Sequence, residues 1–215
     1  MSDTFTILLG GELKVTDRLK EAVEGSRVIA ADGGMIHAAA LGLRPEMWVG
    51  DFDSADPALF DQYSDVPRLA FPAAKAMTDG EIAVEQALAR RARRLVLAGG
   101  LGGLRSDHGF QHLLQGVSLA MQGIEVVLTS GEEEAVPLLP GEMELDLPKG
   151  SLFSILGLDA LSGLSITNAR YPIADFDVPF GSARTISNVA EGRVGFALKS
   201  GRALVLARPY DFTGA

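Results

Sequence analysis

At 215 residues, with 47% hydrophobic and 22% charged side chains, the chain has the make-up of an ordinary globular protein, which excludes the disordered and fibrous classes. A formal charge of −9 repels phosphate backbones and anionic bilayers, so no nucleic acid and no membrane is expected as a partner. The absence of cysteine excludes disulfides, thiolate metal sites and thiol nucleophiles, and fits a reducing compartment, so a cytoplasmic location is expected.

The first eleven residues carry Asp3 and no basic stretch ahead of a short apolar run, which reads as a first strand and not as a signal peptide. Residues 5–9, 27–31, 94–98 and 124–129 are short, nearly continuous apolar runs, as strands buried on both faces require, and a shorter one follows at 47–49. Helix-length segments rich in Ala, Leu, Glu, Arg and Gln lie between them, at about 15–24, 35–42, 79–93 and 107–122. The alternation predicts an α/β domain with a mostly parallel, Rossmann-like sheet.

After Ser130 the pattern changes: Pro137, Pro140 and Pro148 interrupt helices, and apolar runs recur near 143–147, 151–158, 163–168, 185–190, 193–198 and 203–208. This predicts a small all-β sandwich or barrel domain. The expected division is 1–133 for the α/β domain and 134–215 for the β domain. A β module this small is expected to lean on its neighbour or on a second subunit.

In open α/β sheets ligands bind beyond the carboxyl ends of the strands, so the residues that follow each strand matter most. Here they are Gly10-Gly11, Asp32-Gly33-Gly34, Gly50-Asp51-Phe52-Asp53-Ser54 and Gly99-Gly100-Leu101-Gly102-Gly103. Glycines let backbone N–H groups approach an oxyanion, and phosphate binding accounts for several such pairs at one sheet edge. Any single pair has a purely structural reading as a turn. Asp51 and Asp53, two apart in an extended segment, would point the same way and bring two carboxylates onto one hard cation; with Asp32 and Asp79 they make a candidate Mg²⁺ site. A solvated turn with Asp53 or Ser54 capping a helix is the structural alternative.

Thr78-Asp79-Gly80-Glu81 fits a T-x-x-E capping box, and Thr78 can cap while Asp79 faces a metal. Lys75 is placed to offset charge on a phosphate, or is a surface lysine. Arg105 could clamp a phosphate, and Ser106 or Asp107 could simply cap the following helix. His108 and His112 are four apart, but His-Gly-Phe-Gln-His lacks the glutamate of the zinc-protease motif. Neither G-x-x-x-x-G-K-[ST] nor G-x-S-x-G is present, and no G-x-G-x-x-G follows a strand.

Taken in order, Asp32-Gly33-Gly34, Gly50-Asp51-Phe52-Asp53-Ser54, Lys75-x-x-Thr78-Asp79-x-Glu81, Gly102-Gly103 with Arg105-x-Asp107-His108, and Ser187-Asn188 resemble the thiamine pyrophosphokinase family. Order and spacing agree from about residue 7 to 208. The resemblance implies an N-terminal α/β domain that holds ATP and Mg²⁺, a C-terminal β domain, and a homodimer with thiamine in a cleft between subunits. The implied activity is transfer of the β,γ-diphosphate of ATP to the thiamine hydroxyl. The implied catalytic and magnesium ligands are Asp51, Asp53 and Asp79. Asp32, Gly33, Gly34, Ser54, Lys75, Thr78, Gly102, Gly103, Arg105, Asp107 and His108 are implied on the nucleotide side, and Ser187 and Asn188 near thiamine. A hairpin turn is the structural reading of Ser187-Asn188. Three residues depart from the family pattern: Ala76 stands where an Asp is usual, His112 replaces a frequent Asn, and Leu104 lengthens the step to Arg105. The rival readings are a diphosphokinase for another hydroxymethyl heterocycle, such as a pterin, and a nucleotide-binding sensor without catalysis.

Overall fold

A computed structural model of the chain describes residues 2–53, 55–72, 76–103 and 105–214. The described residues fall into two compact units, Met1–His112 with Gly123–Gly131, and Leu113–Gln122 with Glu132–Ala215.

The first unit is built on β1 (Thr4–Leu8), α1 (Asp17–Val23), β2 (Arg27–Ala31), a 3₁₀ turn (Asp32–Met35), α2 (Ile36–Ala40) and β3 (Met47–Gly50). It continues with α3 (Pro57–Gln62), β4 (Arg68–Ala70), α4 (Asp79–Ala89), β5 (Arg94–Ala98), the start of α5 (Ser106–Met121) and β6 (Glu125–Thr129). The six strands are all parallel in the order β6-β5-β1-β2-β3-β4, with Phe5 opposite both Arg27 and Leu95. Their apolar runs are the reason: four of the five residues of β1, β2 and β5 are buried, which only a strand covered on both faces can use. The order reverses at β1, so β1 and its neighbour β5 flank the point where such sheets open a crevice.

Local chemistry sets the helix starts. Thr16 caps α1 by accepting from the Leu19 N–H at 3.2 Å, and its own hydroxyl donates to the Gly131 carbonyl at 3.0 Å. Asp56 caps α3, with Pro57 in the first turn. Thr78 and Glu81 complete a reciprocal capping box on α4, which buries Ile82, Ala83, Val84 and Ala87.

The second unit contains β7 (Glu134–Leu138), β8 (Gly141–Leu145), β9 (Leu152–Gly157), β10 (Leu161–Ala169), β11 (Ile173–Val178), β12 (Asn188–Leu198) and β13 (Ala203–Arg208). All its described pairings are antiparallel. Strands β7, β13 and β9 lie side by side, β9 pairs with the first two residues of β12, the following residues of β12 pair with β8 and β10, and β10 pairs with β11. Strand β12 thus serves two sheets. It bulges between Ala190 and Gly195, where Gly192 takes φ 123° and the facing Asn168 of β10 adopts φ 55° and donates from Nδ2 to the Arg193 carbonyl at 2.7 Å. Phe153 and Ile155 of β9, Leu164 and Ile166 of β10, and Val194 and Phe196 of β12 share one core.

Several elements differ from expectation. α3 and β4 are not legible because α3 has no fully buried residue and β4 is a three-residue edge strand. β7 forms with Pro137 inside it, opposite Leu204 of β13. The runs at 185–190 and 193–198 meet in one strand, Asn188–Leu198, because the bulge around Gly192 does not end it. Among the described residues no helix is long and apolar enough to cross a membrane.

Candidate nucleotide and cation site

At the carboxyl ends of β1, β2, β3 and β5 the chain turns into a cavity of about 790 Å³ within the first unit. Asp32, Gly33, Asp51, Thr78, Asp79, Gly102, Gly103, Arg105 and His108 line it, together with Gly10, Gly11 and His112. Gly34 is buried beneath it instead: a Cβ there would lie 2.2 Å from the Leu8 carbonyl oxygen, so this glycine serves the close approach of two strand ends. Gly11 is of the same kind, since its Cβ would meet the Gly99 carbonyl oxygen at 2.3 Å. Ser54, Lys75 and Leu104 lie outside the described residues.

Three half-buried carboxylates converge: Asp32, Asp51 and Asp79 each offer an oxygen within 4.8 Å of the others. Asp32 follows β2 in a left-handed conformation (φ 43°), and its carbonyl accepts a hydrogen bond from Trp48 Nε1 at 2.9 Å. The missing side chain of Gly50 makes room for it, as a Cβ at 50 would sit 3.1 Å from Asp32 Cβ. Asp79 is the first residue of α4, placed by the Thr78 cap, so the capping and site-building roles of this segment coexist.

Asp53 takes a different position from the one an extended Asp-x-Asp would give. Phe52 is left-handed (φ 64°), and the Asp53 N–H donates to Asp51 Oδ1 at 3.2 Å, so residues 51–53 form a turn on the Asp51 carboxylate. Asp53 is exposed beside the triad and outside it. Its pKa is raised, chiefly by the charge of Asp51, then by burial, a hydrogen bond to Asp51, and the charges of Asp32 and Asp79. Four carboxylates therefore repel one another across a small volume. A donor set made only of carboxylate oxygens suits a hard divalent cation that also keeps water and phosphate ligands. The residues present fit such an ion.

Around this cluster two histidines hold the glycine loops. His37 of α2 donates from Nε2 to the Gly11 carbonyl at 2.9 Å, and His112 of α5 donates from Nδ1 to the Gly100 carbonyl at 3.3 Å. Burial lowers both pKa values against the raising effect of these hydrogen bonds, which favours the neutral rings. His112 Nε2 then carries the lone pair and faces Gly80, whose Cβ would be 3.5 Å away. His108 lies beside it, ring centres 6.4 Å apart. Arg105 holds Asp107 with both Nε and Nη2, at 3.0 and 2.8 Å, which pushes the Asp107 pKa down and the Arg105 pKa up. Both are exposed, so the pair adds little stability, and the same guanidinium fork matches a phosphate.

In the second unit Asn188 is 6% exposed, and its side chain acts on the backbone. Oδ1 accepts from the N–H groups of Tyr171 (3.1 Å) and Val189 (2.8 Å), while Nδ2 donates to the Tyr171 carbonyl (2.9 Å). Ser187 is left-handed (φ 59°), exposed, and donates its N–H to Ser154 Oγ at 3.0 Å. The segment closes a nine-residue connection, residues 179–187, and is not a tight hairpin turn. The sequence overlooks Trp48 and His37, which carry no motif; Asp32 joins the carboxylates, as its position after β2 suggests, while the family resemblance implies the nucleotide side for it.

Residues 20–128, just over half of the chain, match the family model described as "Thiamin pyrophosphokinase, catalytic domain". Among solved structures, the chain is similar to thiamine pyrophosphokinase from Bacillus subtilis (TM-score 0.82, 23% identity, 97% of this chain and 100% of that one). It is similar to the Geobacillus thermodenitrificans protein of the same name (TM-score 0.82, 22% identity, 99% and 100%) and to that of Candida albicans (TM-score 0.78, 13% identity, 95% and 88%). At these identities the likeness is one of fold. No curated protein matches the chain.

Proposed function

The chain belongs to the thiamin pyrophosphokinase family and is an enzyme that moves a diphosphate from ATP to thiamine, and we propose that it does so on the carboxylates gathered at the edge of its parallel sheet. The observation that carries this reading is the convergence of Asp32, Asp51 and Asp79 within 4.8 Å beside glycine loops and Arg105. Asp51 and Asp79, with Asp32 and with Asp53 at the rim, would hold Mg²⁺. When bound, the ion neutralises charge on the ATP phosphates and on the transferring group.

The residues of the chain then do the following. Gly33, Gly102 and Gly103 shape the wall against which the phosphates lie, Gly34 lets the strand ends beneath it approach closely, and Thr78 fixes the start of α4 so that Asp79 faces the cluster. Arg105 exchanges its partner Asp107 for a phosphate oxygen, with His108 beside it. Ser54 and Lys75 complete the nucleotide side. The thiamine hydroxyl attacks the β-phosphorus in line, the bond from that phosphorus to the α,β-bridging oxygen breaks, AMP leaves, and the hydroxyl proton passes to a carboxylate of the cluster. Positioning and charge neutralisation supply most of the acceleration. Ser187 and Asn188 belong to the thiamine side, Asn188 by ordering Tyr171 and the exposed Ser187.

The finer architecture belongs to the same reading: a Rossmann-like catalytic domain over 1–133, a β-sandwich thiamine-binding domain over 134–215, a homodimer, and a cytoplasmic location. Purified protein with ATP, Mg²⁺ and thiamine is expected to yield AMP and thiamine diphosphate in equal amounts. Diphosphorylation of a hydroxymethylpterin in preference to thiamine, or ATP binding with no AMP from either alcohol, would replace this reading by one of its rivals.

A further inference from the structure

The indole of Trp48 is fully buried on β3, within the apolar core of the first unit. What its neighbours use is the particular shape and the single N–H of the indole. Nε1 donates to the carbonyl of Asp32 at 2.9 Å, and the ring packs edge-on against Phe52 with centres 5.1 Å apart. One rigid side chain therefore touches both turns that present carboxylates, since Phe52 is the residue after Asp51. Both turns are left-handed at residues with side chains, Asp32 at φ 43° and Phe52 at φ 64°. Such conformations persist only where the surroundings hold them. Phe60 of α3 closes the cluster against both rings, at 5.0 Å from Trp48 and 6.0 Å from Phe52, with the Arg68 guanidinium over it at 4.9 Å.

We propose that Trp48 is a positioning residue for the cation site, its N–H and ring face together setting the separation of the Asp32 and Asp51 carboxylates. The inference rests on the reading of those carboxylates as ligands of a divalent ion. Partners one step behind a ligand orient it, and their loss weakens metal binding by about 10- to 100-fold. Here the hydrogen bond reaches the ligand's backbone, so the lower end applies.

Trp48 is the sole tryptophan of the chain, so global replacement of tryptophan alters this site alone. The test is Mn²⁺ binding, followed by the electron-paramagnetic-resonance signal of free Mn²⁺, with the unreactive α,β-methylene analogue of ATP present. Substitution of benzothienylalanine, which keeps the ring shape and lacks the N–H, is expected to weaken Mn²⁺ binding by about tenfold. 7-Azatryptophan, which keeps the N–H, is expected to retain wild-type affinity. Trp48→Phe should weaken binding at least as much as benzothienylalanine, with a thermal midpoint in EDTA that still reports a folded protein. Unchanged Mn²⁺ affinity in the benzothienylalanine protein, alongside Asp51→Asn that no longer binds Mn²⁺, would overturn the role of Trp48 alone. Unchanged Mn²⁺ binding in Asp51→Asn would overturn the cation site and this inference with it.

Discussion

His37 and His112 show how single residues tie the cavity wall to pH. Burial depresses both pKa values, while in the unfolded chain they return to about 6.5. Below that pH the unfolded state takes up protons that the folded state refuses, so the stability they contribute is present above about pH 6.5 and is lost as pH falls through the folded values. Thermal midpoints measured from pH 7.5 down to 5 should therefore decline, and His112→Asn should flatten the decline, because asparagine can still donate to the Gly100 carbonyl without titrating. An unchanged slope in that variant would remove His112 as a source. The same residue scale explains what the sequence concealed about the carboxylates. Asp51 and Asp79 stand out because they follow strand and cap signals, but the left-handed Phe52 that swings Asp53 out of the triad depends on aromatic packing with Trp48 and Phe60. No pattern of neighbours along the chain records that packing.

Elements were legible to the degree that local chemistry alone builds them. Strands β1, β2 and β5 could be read because each is a nearly continuous apolar run, and α4 because Thr78 and Glu81 form its capping box. Thr78→Ala removes one cap hydrogen bond and should destabilise the first unit by about 1 kcal/mol, measured as a shift in denaturant midpoint. It should also lower turnover beyond what stability explains, since Asp79 is the next residue. β7, β12 and α3 were not legible, because Pro137, Gly192 and a short, largely exposed helix are tolerated only through pairing and packing with distant segments. β12 begins at Asn188, whose side chain satisfies both backbone groups of Tyr171. Asn188→Ala removes the partner of those part-buried groups and of the buried Val189 N–H, and should cost about 1–3 kcal/mol. If the segment serves thiamine, the KM for thiamine should rise in this variant while the KM for ATP stays nearly constant. Equal changes in both would place the segment away from the alcohol substrate.

The whole molecule carries a formal charge of −9, yet its reaction handles a polyphosphate. The fold reconciles the two by gathering acidic groups at one end of a parallel sheet, next to glycine loops and Arg105. An anionic cluster can accept an anionic nucleotide only with a cation between them, so the carboxylates are the center of the account. The most direct test is the rate of AMP release with ATP, Mg²⁺ and thiamine in Asp51→Asn, a substitution that removes charge but keeps an oxygen to accept the Asp53 N–H. The rate should fall at least about a hundredfold with the thermal midpoint in EDTA unchanged or raised, as relief of like-charge repulsion requires. AMP release close to the wild-type rate would contradict the account.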